Sequence, residues 1–132
     1  LYVIAARTAV GKSALALSMA HHIASAGSAV GFLSLEMPAR ELFHRLCAQR
    51  YGLNLSALSR RYGDIGARLD RAYQRDPLSA LSFYTDDRTV ELSRVVARAQ
   101  DWHHRYRIKV LFIDYLQLVR VKSSANLVER IG

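Results

Sequence analysis

Three almost uninterrupted apolar runs, at residues 1–5, 29–35 and 108–113, are separated by segments of helical periodicity. Strands buried on both faces read as continuous apolar runs rather than alternating ones. Strands with helices between them need crossover connections, which make a parallel sheet. The pattern therefore predicts an α/β fold, a mostly parallel sheet flanked by helices. Residues 13–26 form a helix with Leu15, Ala16, Met19 and Ile23 at inward spacing, closed by Gly27. Pro38 opens the next helix from just inside its start, with Leu42, Leu46 and Cys47 on one face. Residues 51–62 read as irregular or weakly helical. Residues 64–75 form an amphipathic helix with Ile65, Leu69 and Tyr73 inward. Residues 81–84 make a short strand. Residues 86–89 supply caps for a helix whose stripe is Leu92, Val95, Val96, Ala99 and Trp102.

Composition narrows the class. The 132 residues are 51% hydrophobic and 23% charged, enough for one core and too few for two ordinary domains. No apolar run approaches the ~20 residues needed to cross a bilayer, so no membrane association is expected. A single cysteine, Cys47, excludes a disulfide framework. The balance of 19 Lys and Arg against 11 Asp and Glu, net +8, suits an anionic partner without naming one. Leu1 lies inside a strand-like run and residues 126–132 resemble the start of a helix. With no signal-peptide pattern, the expectation is a piece of a longer cytoplasmic protein, incomplete at both ends.

The sharpest local signal is Ala6-Arg7-Thr8-Ala9-Val10-Gly11-Lys12-Ser13, between the first strand and the first helix. It matches G-x-x-x-x-G-K-[ST] with alanine in place of the first glycine. Backbone N–H groups at a helix N-terminus cradle phosphates. The lysine reaches the outer phosphates and the hydroxyl ligates Mg²⁺. Gly-Lys-Ser or Gly-Lys-Thr alone would occur by chance in about 5% of chains this long. The strand before it, the helix after it and a later strand ending in aspartate make the assignment. That aspartate is Asp114, at the C-terminal edge of the last strand, where open α/β sheets bind ligands; it can hold Mg²⁺ or merely cap a turn. Glu36 follows the second strand at the same edge. It can polarise an attacking water or simply favour the dipole of the helix behind Pro38.

Ser34-Leu35-Glu36-Met37-Pro38 after the second strand and Ile113-Asp114-Tyr115-Leu116-Gln117-Leu118 at the third resemble the bacterial replicative DNA helicase family DnaB. The alanine that opens the phosphate loop and the pair Asp86-Asp87 are similar too. The resemblance implies a RecA-like P-loop NTPase core, with residues 1–132 as a single partial ATPase domain running from the phosphate loop through the Walker B strand. It implies ATP and Mg²⁺ as cofactors, with Arg7, Thr8, Ala9, Val10, Gly11, Lys12 and Ser13 around the phosphates. By the same resemblance Lys12 and Glu36 act in catalysis, Ser13 and Asp114 hold the metal, and Gln117 belongs to the nucleotide site. It further implies a homo-hexameric ring that moves on single-stranded DNA, unwinds duplex, and works with primase and a loader. The family's sensor glutamine and finger arginine are expected beyond Gly132, so these residues alone are expected to hydrolyse ATP poorly or not at all.

Other features have plainer readings. His21-His22 and His103-His104 are adjacent pairs, which a helix turns about 100° apart, a poor arrangement for a shared metal. Cys47 suits a small core residue. Trp102 and Tyr106 continue a helical stripe and suit a core better than a base-stacking platform. Residues 40–75 hold eight arginines against Glu41, Asp64 and Asp70, a balance expected of a solvated or subunit-facing surface more than a DNA track. Three readings compete with a helicase: a RecA-type DNA-dependent or signalling ATPase, a small-molecule P-loop kinase, and a non-catalytic truncated module. The first leaves Ser34-Leu35-Glu36-Met37-Pro38 unexplained. The second lacks any sign of a lid or acceptor site.

Overall fold

The computed structural model describes residues 2–5, 7, 10–60 and 63–120. Among these, α1 (Lys12–Ser25) leads to β1 (Val30–Ser34), followed by the helices α2 (Ala39–Tyr51), α3 (Leu55–Arg60) and α4 (Ile65–Arg75). A short 3-10 turn (Leu78–Ala80), β2 (Phe83–Asp86), α5 (Leu92–Tyr106), β3 (Val110–Asp114) and a second 3-10 turn (Leu116–Leu118) complete the order. The sheet is parallel throughout, in the order β2-β1-β3.

β1 is central and buried at every position. Its side chains alternate between two cores. Val30 and Phe32 join Leu17, Ala20 and Ala24 of α1 and Leu42 and Leu46 of α2. Leu33 meets Val95 and Trp102 of α5 and Ile108 on the other face. The sheet is thus the middle of three layers, as expected from its apolar runs. Phe32 stacks between Phe83 and Phe112, with ring centroids 6.1 and 5.8 Å away, so one aromatic row crosses all three strands. A third cluster, Cys47, Leu53, Leu58 and Ile65, fastens α2, α3 and α4 together. Burial pushes the Cys47 thiol up to about 11, in keeping with a packing role.

Several expectations need correction. Residues 2–5 form no strand, and Tyr2 and Val3 are largely exposed; Leu1 lies outside the described residues. Apolarity marks what a segment can bury, whereas a strand also needs a ladder partner, and these residues have none among the described residues. On α1 the buried face is Leu17, Ala20 and Ala24, while Leu15 and Met19 are 51% and 42% exposed. This helix is apolar nearly all round, so spacing alone does not select its face. On α5, Leu92 and Val96 of the expected stripe are exposed, whereas Val95 and Trp102 are buried. Tyr106 is likewise exposed, covering Tyr84 at a ring distance of 4.1 Å. Pro38 caps α2 from just outside its first turn. The strand expected at 81–84 sits two residues later.

Other expectations hold. Gly27, at φ +85°, follows the end of α1, with its N–H bonded to Ala24 and that of Ser28 to Ile23. This double return satisfies two of the helix's last carbonyls and requires a left-handed residue. Leu42, Leu46 and Cys47 are buried as read.

α1 is also tied down by a polar cluster. Arg50 of α2 donates to Asp76 at 2.6 Å, to Ser25 at 3.3 Å and to Nε2 of His21 at 3.3 Å. Tyr51 donates to the Asp76 carbonyl at 2.7 Å. His21 accepts from a guanidinium only when neutral. Burial first, and the Arg50 charge second, hold its pKa below the usual 6.5, against the opposing pull of Asp76 and with a smaller push from His22.

This packing can be tested at two positions. A Cβ on Gly31 would stand 2.7 Å from Trp102 Cε3 and 2.9 Å from Leu111 Cδ1. Gly31→Ala is expected to cost about 1–3 kcal/mol through overpacking, seen as a lower denaturation midpoint with altered Trp102 fluorescence; an unchanged midpoint refutes it. The depressed His21 value means that the unfolded chain takes up the proton first. The His21 contribution is therefore fully present above pH 6.5 and is lost as pH falls from there through the folded-state value. Denaturation midpoints at pH 7.5 and 5.5 should differ less in His21→Gln than in wild type; an equal difference would remove His21 as the cause.

Candidate nucleotide site

Gly11, the last residue before α1, has φ +97°, a left-handed conformation that favours glycine. Among the described residues, no side chain caps the N-terminus of α1. Lys12 and Ser13 are the first two helical residues and both are partly buried. Arg7 and Val10 are exposed. Thr8 and Ala9, with Ala6 ahead of them, lie outside the described residues.

The Lys12 ammonium lies 5.9 Å from the ring centroid of Tyr115. Tyr115 follows Asp114 directly, so the contact joins the N-terminus of α1 to the end of β3. Asp114 is only 6% exposed, and its Oδ2 has no hydrogen-bond partner among the described residues. A buried, unpaired carboxylate oxygen is costly and fits a carboxylate that receives a cation.

Glu36 reaches the same edge through strand register. Ser34 of β1 pairs with Asp114 of β3, and the Leu35 N–H donates to the Asp114 carbonyl at 2.8 Å. Glu36 comes next and is exposed. The turn behind it closes where the Ser34 hydroxyl donates to the Met37 carbonyl at 2.7 Å. Lys12, Ser13, Glu36 and Asp114 thus belong to elements that meet at one end of the sheet. Gln117 is exposed in the 3-10 turn three residues past Asp114, and no hydrogen bond joins its side chain to this group among the described residues.

Tyr115 as a neighbour of Lys12 is a contact that sequence reasoning misses; its position next to Asp114 is the only signal for it. Asp86 and Asp87 also act otherwise than as caps for α5. Asp86 accepts from the N–H groups of Arg88 and Thr89, from the Thr89 hydroxyl at 2.8 Å and from Arg98 at 2.8 Å. Burial alone would raise its carboxyl, but these donors outweigh it and hold it below the ordinary value. Asp87 turns the other way and accepts the first N–H of α2, from Ala39, at 2.7 Å. Two adjacent aspartates at a strand end serve two different elements because successive side chains diverge. The histidines make local bonds: His103 Nδ1 faces the Ile108 carbonyl, and His104 Nδ1 that of Gln100.

Comparison with known proteins decides the family. The family model of the DnaB-like helicase C-terminal domain matches residues 1–132. The chain belongs to this family. It is 32% identical over 147 residues to the replicative DNA helicase DnaB of Rickettsia bellii, covering 100% of the chain and 29% of that relative. A probable plasmid replicative DNA helicase of Chlamydia psittaci is 34% identical over 136 residues, 94% of the chain and 28% of the relative. The chain therefore spans under a third of the length of these relatives. Among solved structures, an ATPase domain superposes with a TM-score of 0.72 at 24% identity, over 91% of the chain and 44% of that structure. A DnaB-like replicative helicase, described with its interactions with primase, superposes at 0.70 and 24% identity, over 86% of the chain and 28% of the other. The fold expected from the resemblance, a RecA-like ATPase core, is the fold these neighbours share. Among the described residues no helix is long and apolar enough to cross a membrane.

Proposed function

We propose that residues 1–132 are part of the ATPase domain of a replicative DNA helicase, coupling ATP hydrolysis to movement on single-stranded DNA and duplex unwinding. The observation that carries this reading is the meeting of Lys12, Asp114 and Glu36 at one end of the sheet in a chain of this family. Each has a distinct task. Residues 7–13 wrap the phosphates with backbone N–H groups, and Lys12 neutralises the outer charge. Ser13 and Asp114 would hold Mg²⁺, which when bound supplies charge neutralisation at the phosphates; the unpaired Asp114 Oδ2 fits that place. Glu36, exposed at the same edge, accepts a proton from the attacking water. Gln117, just past Asp114, is assigned to the nucleotide site as well. A homo-hexameric ring, single-stranded DNA, primase and a loader complete the proposal, resting on family membership and on the primase interactions described for the DnaB-like relative.

The test is ATP turnover by the intact protein that carries this chain, with and without single-stranded DNA. DNA should stimulate turnover. Glu36→Gln should lower kcat by about 10²–10⁴ with nucleotide still bound, and Lys12→Ala should weaken nucleotide binding itself. Turnover indifferent to DNA would favour the signalling ATPase. Turnover that survives Glu36→Gln would return Glu36 to a role at the helix dipole.

A further inference from the structure

The four residues between the end of β1 and the start of α2 carry Glu36 across the edge of the sheet. Glu36 is exposed, and no hydrogen bond orders its side chain among the described residues. Its place is therefore decided by the backbone around it. That backbone is held at three points. The Leu35 N–H donates to the Asp114 carbonyl at 2.8 Å, which belongs to the strand ladder. The other two are side-chain contacts that neither the sheet nor the helix requires. Ser34, 1% exposed, donates its hydroxyl to the Met37 carbonyl at 2.7 Å and closes the turn across Glu36. Asp87, from the loop after β2, accepts the Ala39 N–H at 2.7 Å and fixes the first turn of α2 from 48 residues away. Pro38 has no N–H, and α2 has no cap side chain of its own, so Asp87 supplies what the local sequence omits.

Asp87 is itself held in place. Its neighbour Asp86 closes the 86–89 loop through Arg88 and Thr89 and is tied to Arg98 of α5. The loop that carries Asp87 is thereby anchored to the helix on the far face of the sheet. The Glu36 turn is fixed between the end of β3, its own strand and the end of β2.

We infer that Ser34 and Asp87 are positioning residues for Glu36, an inference that rests on the proposed role of Glu36 as the group that takes a proton from the attacking water. A general base must sit within hydrogen-bond reach of the proton it takes. A displacement of about 1 Å can cost on the order of 10² in rate. A capping contact that served stability alone would alter the unfolding midpoint and leave turnover per folded molecule unchanged.

The test uses the intact protein with single-stranded DNA and measures kcat, KM for ATP and the Kd of a fluorescent ATP analogue. Asp87→Ala and Ser34→Ala are each expected to lower kcat about 10- to 100-fold, with KM and Kd essentially unchanged. Asp87→Asn keeps an oxygen that can accept the Ala39 N–H and should restore most of the lost kcat. Unchanged kcat in folded Asp87→Ala overturns the assignment of Asp87. Loss of kcat and nucleotide affinity together overturns it too, since the damage then reaches beyond the Glu36 turn. If Asp87→Ala does not fold, Ser34→Ala and Asp87→Asn decide by the same two readouts. Glu36→Gln, measured alongside, separates the two levels. If Glu36→Gln abolishes turnover while Ser34→Ala and Asp87→Ala retain it, positioning fails and the function stands. If Glu36→Gln retains turnover, the role of Glu36 fails and with it the reason for holding it.

Discussion

The parallel register between β1 and β3 sets Ser34 beside Asp114, and the position of every other group at the sheet edge depends on that pairing. A slip of one residue would turn Phe32 from the α1 face to the α5 face and carry Leu33 the other way. Such a slip is strongly opposed. Phe32 is fully buried between Phe83 and Phe112, and Gly31 is the residue small enough to lie under Trp102. The groups at the edge are thus located by packing in the middle of the sheet. Hydrophobic burial is not directional, but interlocking shapes on both faces of one strand make it so here.

What was legible in the sequence follows the same division. β1 and β3 are short apolar runs that stand where the pattern put them, but only β1 is buried at every position, while β3 is half-buried along most of its length. Asp114 ends one such strand and Glu36 lies two residues past the end of the other, so their edge is implied by topology. The face of α1 was not readable: Leu15 and Leu17 are equally apolar, and only the sheet that α1 packs against chooses between them. Residues 1–5 carry the strongest strand-like run in the N-terminal region, yet residues 2–5 lie exposed. Their pattern specifies burial without specifying a partner. The ring of Tyr115 near Lys12 is a contact across about a hundred positions of sequence, and no local pattern encodes it.

Polar contacts divide the labour differently from apolar ones. Among the described residues the interior is almost wholly apolar, and its few buried polar groups, Ser34, Thr89 and Asp114, lie at or just past strand ends. The Arg50 cluster ties the C-terminal half of α1 to α2 and to Asp76. Lys12 and Tyr115 relate the N-terminus of α1 to β3. Partly exposed contacts of this kind contribute little net stability. Their effect is geometric. They tie both ends of α1 to its neighbours once the sheet has selected its buried face.

The same reasoning explains why the Glu36 turn needs long-range support. A segment that must present a charged side chain to solvent cannot be held by burying that side chain. Met37 buries in the core directly after Glu36, and the serine before the turn is buried as well, so the exposed residue is bracketed by buried ones. Pro38 then limits the backbone into α2 but removes a donor. The carboxylate that meets the next donor comes from another strand, which makes the geometry of Glu36 a property of the assembled sheet rather than of its own loop. A short motif such as Ser34-Leu35-Glu36-Met37-Pro38 therefore has its full meaning only beside Asp87, and the two were separable in sequence because the fold, not the chain, brings them together.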